Sequence, residues 1–199
     1  WQDAGGSTIH GGDLLAAIAA ADVIVDALLG TGLQRDVSAD WAELIDAINQ
    51  SDKPVLSIDV PSGLHADTGA VMAAAIQARV TRSYIGLKQG LFTGLGPDHC
   101  GRIFFDDLGV PEAIYSHVQA SKQVMDSASV HALLKPRRPG CHKGQCGHVL
   151  VIGGEHGMAG AVRMAAEAAA RVGAGLVTVA TRPEHAALLS ANRPELMCH

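Results

Sequence analysis

Two apolar runs each end in an aspartate and then break into a loop. Val23-Ile24-Val25-Asp26 leads into Ala27-Leu28-Leu29-Gly30-Thr31-Gly32, and Val55-Leu56-Ser57-Ile58-Asp59 leads into Val60-Pro61-Ser62-Gly63. In an open α/β sheet, ligands bind outside the carboxyl ends of parallel strands. A carboxylate delivered to that edge can bind a cation, hold a ribose hydroxyl or act as a general base. It can equally cap the following turn or helix. Two aspartates in the same setting favour a site over two caps. Ser62 adds a hydroxyl oxygen, and oxygen donors from Asp and Ser suit a hard cation rather than zinc. With free backbone N–H groups in the adjoining loops, the pair predicts a small polar or phosphorylated ligand.

Other stretches carry weaker signals. Gly30 to Asp36 is a two-glycine loop whose amides can cradle phosphate, or an ordinary strand-to-helix loop. Gly153-Gly154-x-x-Gly157-x-x-Gly160 follows an apolar run and opens a helix, but its spacing is not G-x-G-x-x-G. Thr181-Arg182 stand where a ribose-binding acid would end the next strand, which argues against a dinucleotide site and leaves a helix N-terminus facing substrate. Cys141 and Cys146 lie in a C-x4-C loop with His142 and His148. No second ligand pair follows, so a Gly-rich loop with incidental Cys and His is favoured over zinc. Lys88, His142 and Lys143 can each touch phosphate, although solvated surface residues are the more frequent case.

The elements that must position these residues read as α/β. Apolar residues make up 48% of the 199 and aromatics only 4%, a balance suited to alanine-rich helices packed on Val/Ile/Leu strands. Helices are expected over 12–21, 39–50 with Ser38 as a cap, 70–78, 127–134 with Asp126 or Ser127 as a cap, and near 159–172. Strands are expected over 23–29 (buried and non-alternating, as in parallel sheets), 55–59, 79–86, 101–106, from 148, and over 176–180. Gly90, Gly94, Gly96 and Pro97 mark a loop. The character changes between about 110 and 140, where a basic, proline-punctuated connector, Lys135 to Gly140, precedes a second α/β start. A net charge of −5 argues against nucleic-acid and membrane-surface roles. No apolar run reaches the ~20 residues of a membrane span. Four unpatterned cysteines suit a reducing cytoplasm. The chain opens on Trp1 rather than Met, which points to a fragment, a processed product or a trimmed chain.

Taken together, the segments resemble the bifunctional NAD(P)H-hydrate repair enzymes. Val25-Asp26-Ala27-Leu28-Leu29-Gly30-Thr31-Gly32-Leu33, Asp59-Val60-Pro61-Ser62-Gly63-Leu64, Asp67-Thr68-Gly69-Ala70 and Leu87-Lys88-x-Gly90-Leu91 are similar to the NAD(P)HX epimerase domain. Leu134-Lys135-Pro136-Arg137-Arg138-Pro139, His142-Lys143-Gly144, Gly153-Gly154, Gly160-Ala161 and Arg193-Pro194-Glu195-Leu196-Met197 are similar to the opening of the ADP-dependent NAD(P)HX dehydratase domain. The resemblance implies the C-terminal part of a three-layer, Rossmann-like epimerase domain over 1–118, followed by the start of a ribokinase-like dehydratase domain over 119–199. It implies potassium at Asp26 and Ser62. It implies contacts to the hydrated nucleotide (NADHX or NADPHX) at Gly30, Thr31, Gly32, Leu33, Gln34, Arg35, Asp36, Asp59 and Ala161. Asp59 is the candidate for polar catalysis, with a pure binding role as the alternative. Mg²⁺ and ADP are implied for the dehydratase, and a cytoplasmic homo-oligomer is expected.

Two other readings stand beside this one. A ribokinase-like small-molecule kinase would need a complete nucleotide site. A non-catalytic scaffold, as in mRNA-decapping proteins that reuse the epimerase fold, would carry no dehydratase segment after residue 135. The Asn/Gly-rich loop expected to complete the epimerase site does not precede Asp26, and the Gly-rich ADP segment does not follow. The 199-residue chain by itself is therefore expected to lack both activities. An NADHX repair assay on this chain and on a full-length relative checks this, and robust ADP-dependent repair by the chain alone would overturn it.

Overall fold

A β-branched run becomes strand only as far as a neighbour pairs with it. In the computed structural model, which describes residues 3, 5, 6, 8, 13–118, 120–134, 136–191 and 193–199, the first strand, β1, is only Ile24–Asp26. The expected strand over 23–29 stops there because the amides of Leu28 and Leu29 turn to the Asp26 carboxylate and the Ser62 hydroxyl. Helix α1, Asp13–Ala20, precedes it; residue 12 of the expected helix, like Lys135 of the connector, lies outside the described residues. Helix α2, Ala39–Gln50, then leads to β2, Val55–Ile58. Ser38 occupies the N-cap position of α2, but its side chain makes no capping bond.

Beyond β2 come β3, Val80–Tyr84, helix α3, Gly96–Cys100, β4, Arg102–Asp106, and helix α4, Glu112–Tyr115. The sheet runs β1-β2-β3-β4 and is parallel throughout. Asp26 stands opposite Ser57, and Ile58 opposite Arg82. Every carboxyl end thus faces one edge. Ile45 and Ile48 of α2 and Ile18 of α1 pack with Val55 and Ile76 on one side. Val60, Leu64, Leu91 and Cys100 form a second cluster under the loops. The expectation that the first strand is buried fails: Val25 is 59% exposed. It lies on the outer strand of the sheet, and no described element covers that side chain.

Residues 70–78 are extended, not helical. Alanine favours helix, but propensity yields to tertiary pairing. Here Met72 N donates to Gly63 O, Ile76 N to Ser62 O and Ala78 N to His99 O, each at 2.8–2.9 Å. The two backbones lie so close that a Cβ on Gly63 would stand 1.9 Å from Ala74 O. The glycine-marked stretch is likewise more ordered than a plain loop, with a 3₁₀ turn at Gln89–Leu91 before α3. A Cβ on Gly90 would fall 2.3 Å from His65 O, so glycine there permits the close approach.

The contacts divide the chain into two compact units, Trp1–Gln123 and Val124–His199. In the second, helix α5, Ser127–Leu133, is capped by Asp126, which accepts from Ser129 N at 2.7 Å. Strand β5, His148–Ile152, helix α6, Gly160–Val172, and strand β6, Leu176–Ala180, follow as the periodicity predicts. Gly173 ends α6 at φ +112°, a left-handed cap. Helix α7, Ala186–Ala191, and strand β7, Leu196–Cys198, extend the unit in a region for which sequence pattern supplied no element. The sheet runs β5-β6-β7, again parallel, with Val162, Ala166, Val179, Leu189 and Leu196 as its core.

Gly90→Ala forces a methyl into occupied space and is expected to lower stability by about 1–3 kcal/mol. Gly32→Ala, whose Cβ would meet nothing within 4 Å, is expected to stay within about 0.5 kcal/mol. Urea unfolding of the two variants measures the difference.

Candidate functional site

A carboxylate removed from water must have its lone pairs filled. Asp26, the last residue of β1, is 1% exposed and receives four donors. Ser57 Oγ and Ser62 N donate to Oδ2 at 2.7 and 2.9 Å. Ser62 Oγ donates to Oδ1 at 2.6 Å, and Leu28 N reaches the same oxygen at 3.3 Å. Ser62 Oγ also accepts from Leu29 N at 2.8 Å and lies 3.1 Å from Leu29 O. One anion thereby ties the ends of β1 and β2 to the loops that follow each. The structure brings Ser62 to Asp26, the pair that the resemblance implies, and not to Asp59, the aspartate it follows in sequence. Ser57 was not singled out; its only signal was a polar residue inside an apolar strand.

Asp59 is held differently. It follows the last residue of β2 at φ +70°, a conformation uncommon outside glycine. Its amide continues the ladder by donating to Arg82 O at 2.8 Å, and Val60 N closes a three-residue turn onto Ile58 O at 2.9 Å. β3 ends in the same way: Ile85 has φ +64° and Gly86 N returns to Tyr84 O at 2.6 Å. Such turns are strained, and backbone strain gathers at functional edges. The turn at Asp59 brings its carboxylate to the end of β3. There Oδ1 accepts from Tyr84 N at 3.0 Å, from Ser83 Oγ at 3.2 Å and from Lys88 Nζ. Lys88 is thus not a solvated surface lysine; its side chain is 18% exposed and also donates to Tyr84 O at 2.8 Å. Asp59 makes no hydrogen bond with Asp26 or Ser62.

The loop from Gly30 to Asp36 begins directly after Leu29. Gly30, Thr31, Gly32, Gln34, Arg35 and Asp36 are exposed, and Leu33 is half-buried. Added Cβ atoms on Gly30 and Gly32 would meet nothing, so neither packing nor φ demands glycine there. That leaves space for close approach of another molecule to the backbone. Beside the loop is a cavity of about 340 Å³, lined by Leu29, Leu33, Arg35, Asp36, Val37, Ser38 and Trp41. Elsewhere on this edge Arg82 pairs with Asp106 and holds that carboxyl below the usual range. Burial pushes the Cys100 thiol up to about 11, which makes it an inert core residue.

In the second unit the loop after β5 meets the loop after β6 through charge pairs. Glu155 pairs with Arg182, and His156 Nδ1 lies 2.8 Å from Glu184, whose carboxyl it lowers. Glu155 and Arg182 border a cavity of about 450 Å³, lined among others by Gly153, Gly154, Thr181 and His199. Ala161 sits exposed in the first turn of α6 and is not part of that lining. Cys141 and Cys146 place their sulfurs 3.5 Å apart. Among the described residues no three His, Cys, Asp or Glu gather as a metal cluster.

Comparison with known proteins divides the chain along the same lines. Residues 2–90 match the family described as YjeF-related protein N-terminus, and residues 149–199 match the family described as NAD(P)H-hydrate dehydratase. A protein of Coxiella burnetii named bifunctional NAD(P)H-hydrate repair enzyme Nnr is 53% identical over 178 residues, covering 89% of this chain and 36% of its own length. Its namesake in Escherichia coli is 45% identical over all 199 residues, 38% of its length. A bifunctional NAD(P)H-hydrate repair enzyme of Leishmania braziliensis is 39% identical over 208 residues, 99% of this chain and 36% of its length. The chain therefore spans just over a third of the length of these relatives.

Asp26→Ala strands several buried donors at about 1–3 kcal/mol each and is expected to destabilise by about 3 kcal/mol or more in total. Ser62→Ala, which leaves the carboxylate its three other donors, is expected to cost about 1–2 kcal/mol. Urea unfolding in potassium-free buffer reads both.

Proposed function

We propose that this chain, in which a YjeF-related N-terminal domain precedes an NAD(P)H-hydrate dehydratase segment, serves the repair of hydrated NADH and NADPH. The first unit contributes to interconversion of the R and S hydrates. The second contributes to ADP-dependent dehydration of the S form back to NADH or NADPH. The observation that carries the reading is the succession of the two matched segments in one chain, the same order as in relatives that bear that name. The domain division at 118/119 belongs to the same proposal, as do a cytoplasmic location and a homo-oligomeric state. Four free thiols suit a reducing compartment. No helix among the described residues is long and apolar enough to cross a membrane.

In this reading Gly30, Thr31, Gly32, Leu33, Gln34, Arg35 and Asp36 hold the nucleotide, with Arg35 supplying positive charge toward phosphate. Ala161 lets backbone approach the substrate at the second site. Asp26 and Ser62 are the potassium ligands. Their chemistry fits: the donors that converge here are a carboxylate, a hydroxyl and the Leu29 carbonyl, all oxygen. The serine hydroxyls now spend their hydrogens on Asp26, but a hydroxyl can rotate and present a lone pair instead. Potassium, when bound, supplies a hard positive charge that holds ligand oxygens at this edge. ADP and Mg²⁺ are assigned to no residue here, since the edge carboxylates Glu155 and Glu184 are already paired with Arg182 and His156.

Asp59 acts at the hydrate carbon, which carries both the hydroxyl and the ring nitrogen. The carboxylate takes the hydroxyl proton, the C–O bond becomes a carbonyl, and the carbon–nitrogen pair moves onto the ring nitrogen, which is protonated from solvent. Closure on the other face of the carbonyl reverses each transfer and yields the other epimer. In the second unit, transfer of the terminal phosphoryl group of ADP to the S hydroxyl, with AMP as the group released, turns a poor leaving group into a good one. Loss of phosphate, with a ring proton, restores the reduced nicotinamide.

Asp59→Asn in the complete protein is expected to slow R-to-S interconversion by about 10²-fold or more, the usual range for losing a general base, while ADP-dependent dehydration of S-NADHX persists. Following both hydrates by chromatography after mixing checks it; unchanged interconversion would remove Asp59 from the reaction. In the same assay, Ser62→Ala is expected to raise the potassium concentration needed for half-maximal epimerisation when ionic strength is held constant.

A further inference from the structure

We propose that Lys88 is the positioning residue of the epimerisation site: it fixes the Asp59 carboxylate so that one chosen oxygen meets the hydrate. The inference rests on the hydrate-repair reading above. Three donors, Tyr84 N, Ser83 Oγ and Lys88 Nζ, converge on the same oxygen, Oδ1. No hydrogen bond among the described residues uses Oδ2. One oxygen is saturated by the protein and the other is left to a ligand. The helix cap Asp126 also uses one oxygen, but its donors come from one residue of its own turn; those on Asp59 come from the end of a neighbouring strand and from a lysine beyond it.

The lysine is itself held at both ends. Its ammonium spends a second hydrogen on Tyr84 O at 2.8 Å, which ties it to the strained end of β3. Its backbone enters the 3₁₀ turn at Gln89–Leu91, and Gly90 N anchors that turn to Ala66 O at 2.6 Å. An exposed lysine–carboxylate pair contributes little because two long side chains must be ordered to form it. This one is 18% and 27% exposed, and both partners are ordered by backbone contacts before they meet. What the pair adds is direction: the ammonium, the amide and the hydroxyl together fix the carboxylate plane at the open edge of the sheet. A reacting group misplaced by an ångström loses about 10²-fold in rate.

The test uses the complete protein and follows interconversion of R- and S-NADHX. Lys88→Ala is expected to lower kcat about 10²-fold with KM moved by less than about threefold, the pattern of lost positioning rather than lost binding. Lys88→Arg, which keeps a charged donor, is expected to recover most of the rate. Added methylammonium is expected to rescue Lys88→Ala in part, tetramethylammonium to fail because it has no N–H to donate, and neither to rescue Asp59→Asn. Should Lys88→Ala not fold, Lys88→Gln, which keeps the aliphatic stem, carries the same comparison. An unaltered protein that does not interconvert the hydrates overturns the repair reading and this inference with it. An active protein whose Lys88 variants keep kcat, or lose it with no recovery by arginine or methylammonium, overturns the inference alone.

Discussion

The first unit is organised around a negative charge with almost no access to water. At 1% exposure the Asp26 carboxyl needs donors for its lone pairs, and the chain supplies them from both strand ends and both following loops. That requirement explains features that look unrelated in sequence. β1 stops early because its next amides are committed to this network. Ser57 is the polar residue of an otherwise apolar strand because it faces Asp26 in register. Pro61-Ser62-Gly63 turns so that Ser62 delivers both an amide and a hydroxyl. The network also decides where the Gly30–Asp36 loop begins, since Leu29 is pinned to Ser62 one residue before it.

The second constraint is conformational. Strands β2 and β3 both end in residues at positive φ that are not glycine. At Asp59 the result is a carboxylate swung across to the neighbouring strand end. At Ile85 it is a chain redirected toward Lys88. Strain of this kind, of order 1–3 kcal/mol per residue, persists only where the surroundings over-determine it. The surroundings here are the loops of 63–76 and 88–100, packed so closely that added Cβ atoms at Gly63, Gly69, Gly90, Gly94 and Gly96 would collide with backbone. Closely packed glycine loops thus hold the half-buried carboxylate, while the 30–36 loop has open space around its glycines.

The second unit repeats the logic with other chemistry. Its three parallel strands also send their carboxyl ends to one edge. The two loops there are joined by opposite charges rather than by a buried anion. Buried His185 contacts Thr181, and Thr181 lies 3.5 Å from Gly154 O, so the glycine loop and the β6 loop are also coupled through neutral groups.

The division between sequence and tertiary structure follows the range of the interactions. Elements set by local periodicity and capping were legible: α2, β2, β3, β4, α5 with its Asp126 cap, and α6 with its Gly173 stop. So were the two strand-end aspartates, because residue type and spacing carry that signal, whereas the pairing of Ser62 with Asp26 was legible only through the family resemblance. Residues 70–78 were not, since helix propensity gave way to backbone partners far along the chain, at Gly63, Ser62 and His99. Nor was the exposure of Val25, which depends on the strand's place at the edge of the sheet. Lys88 shows the limit most clearly: by sequence it is a candidate phosphate contact or a solvated lysine, 29 residues from Asp59 and with no sign of pairing with it. Only folding decides that the two meet, because the meeting requires β3 to pair beside β2 and both strand ends to turn through positive φ. Local pattern determined which residues could do chemistry; the tertiary packing decided which of the Asp59 oxygens the protein's own donors occupy.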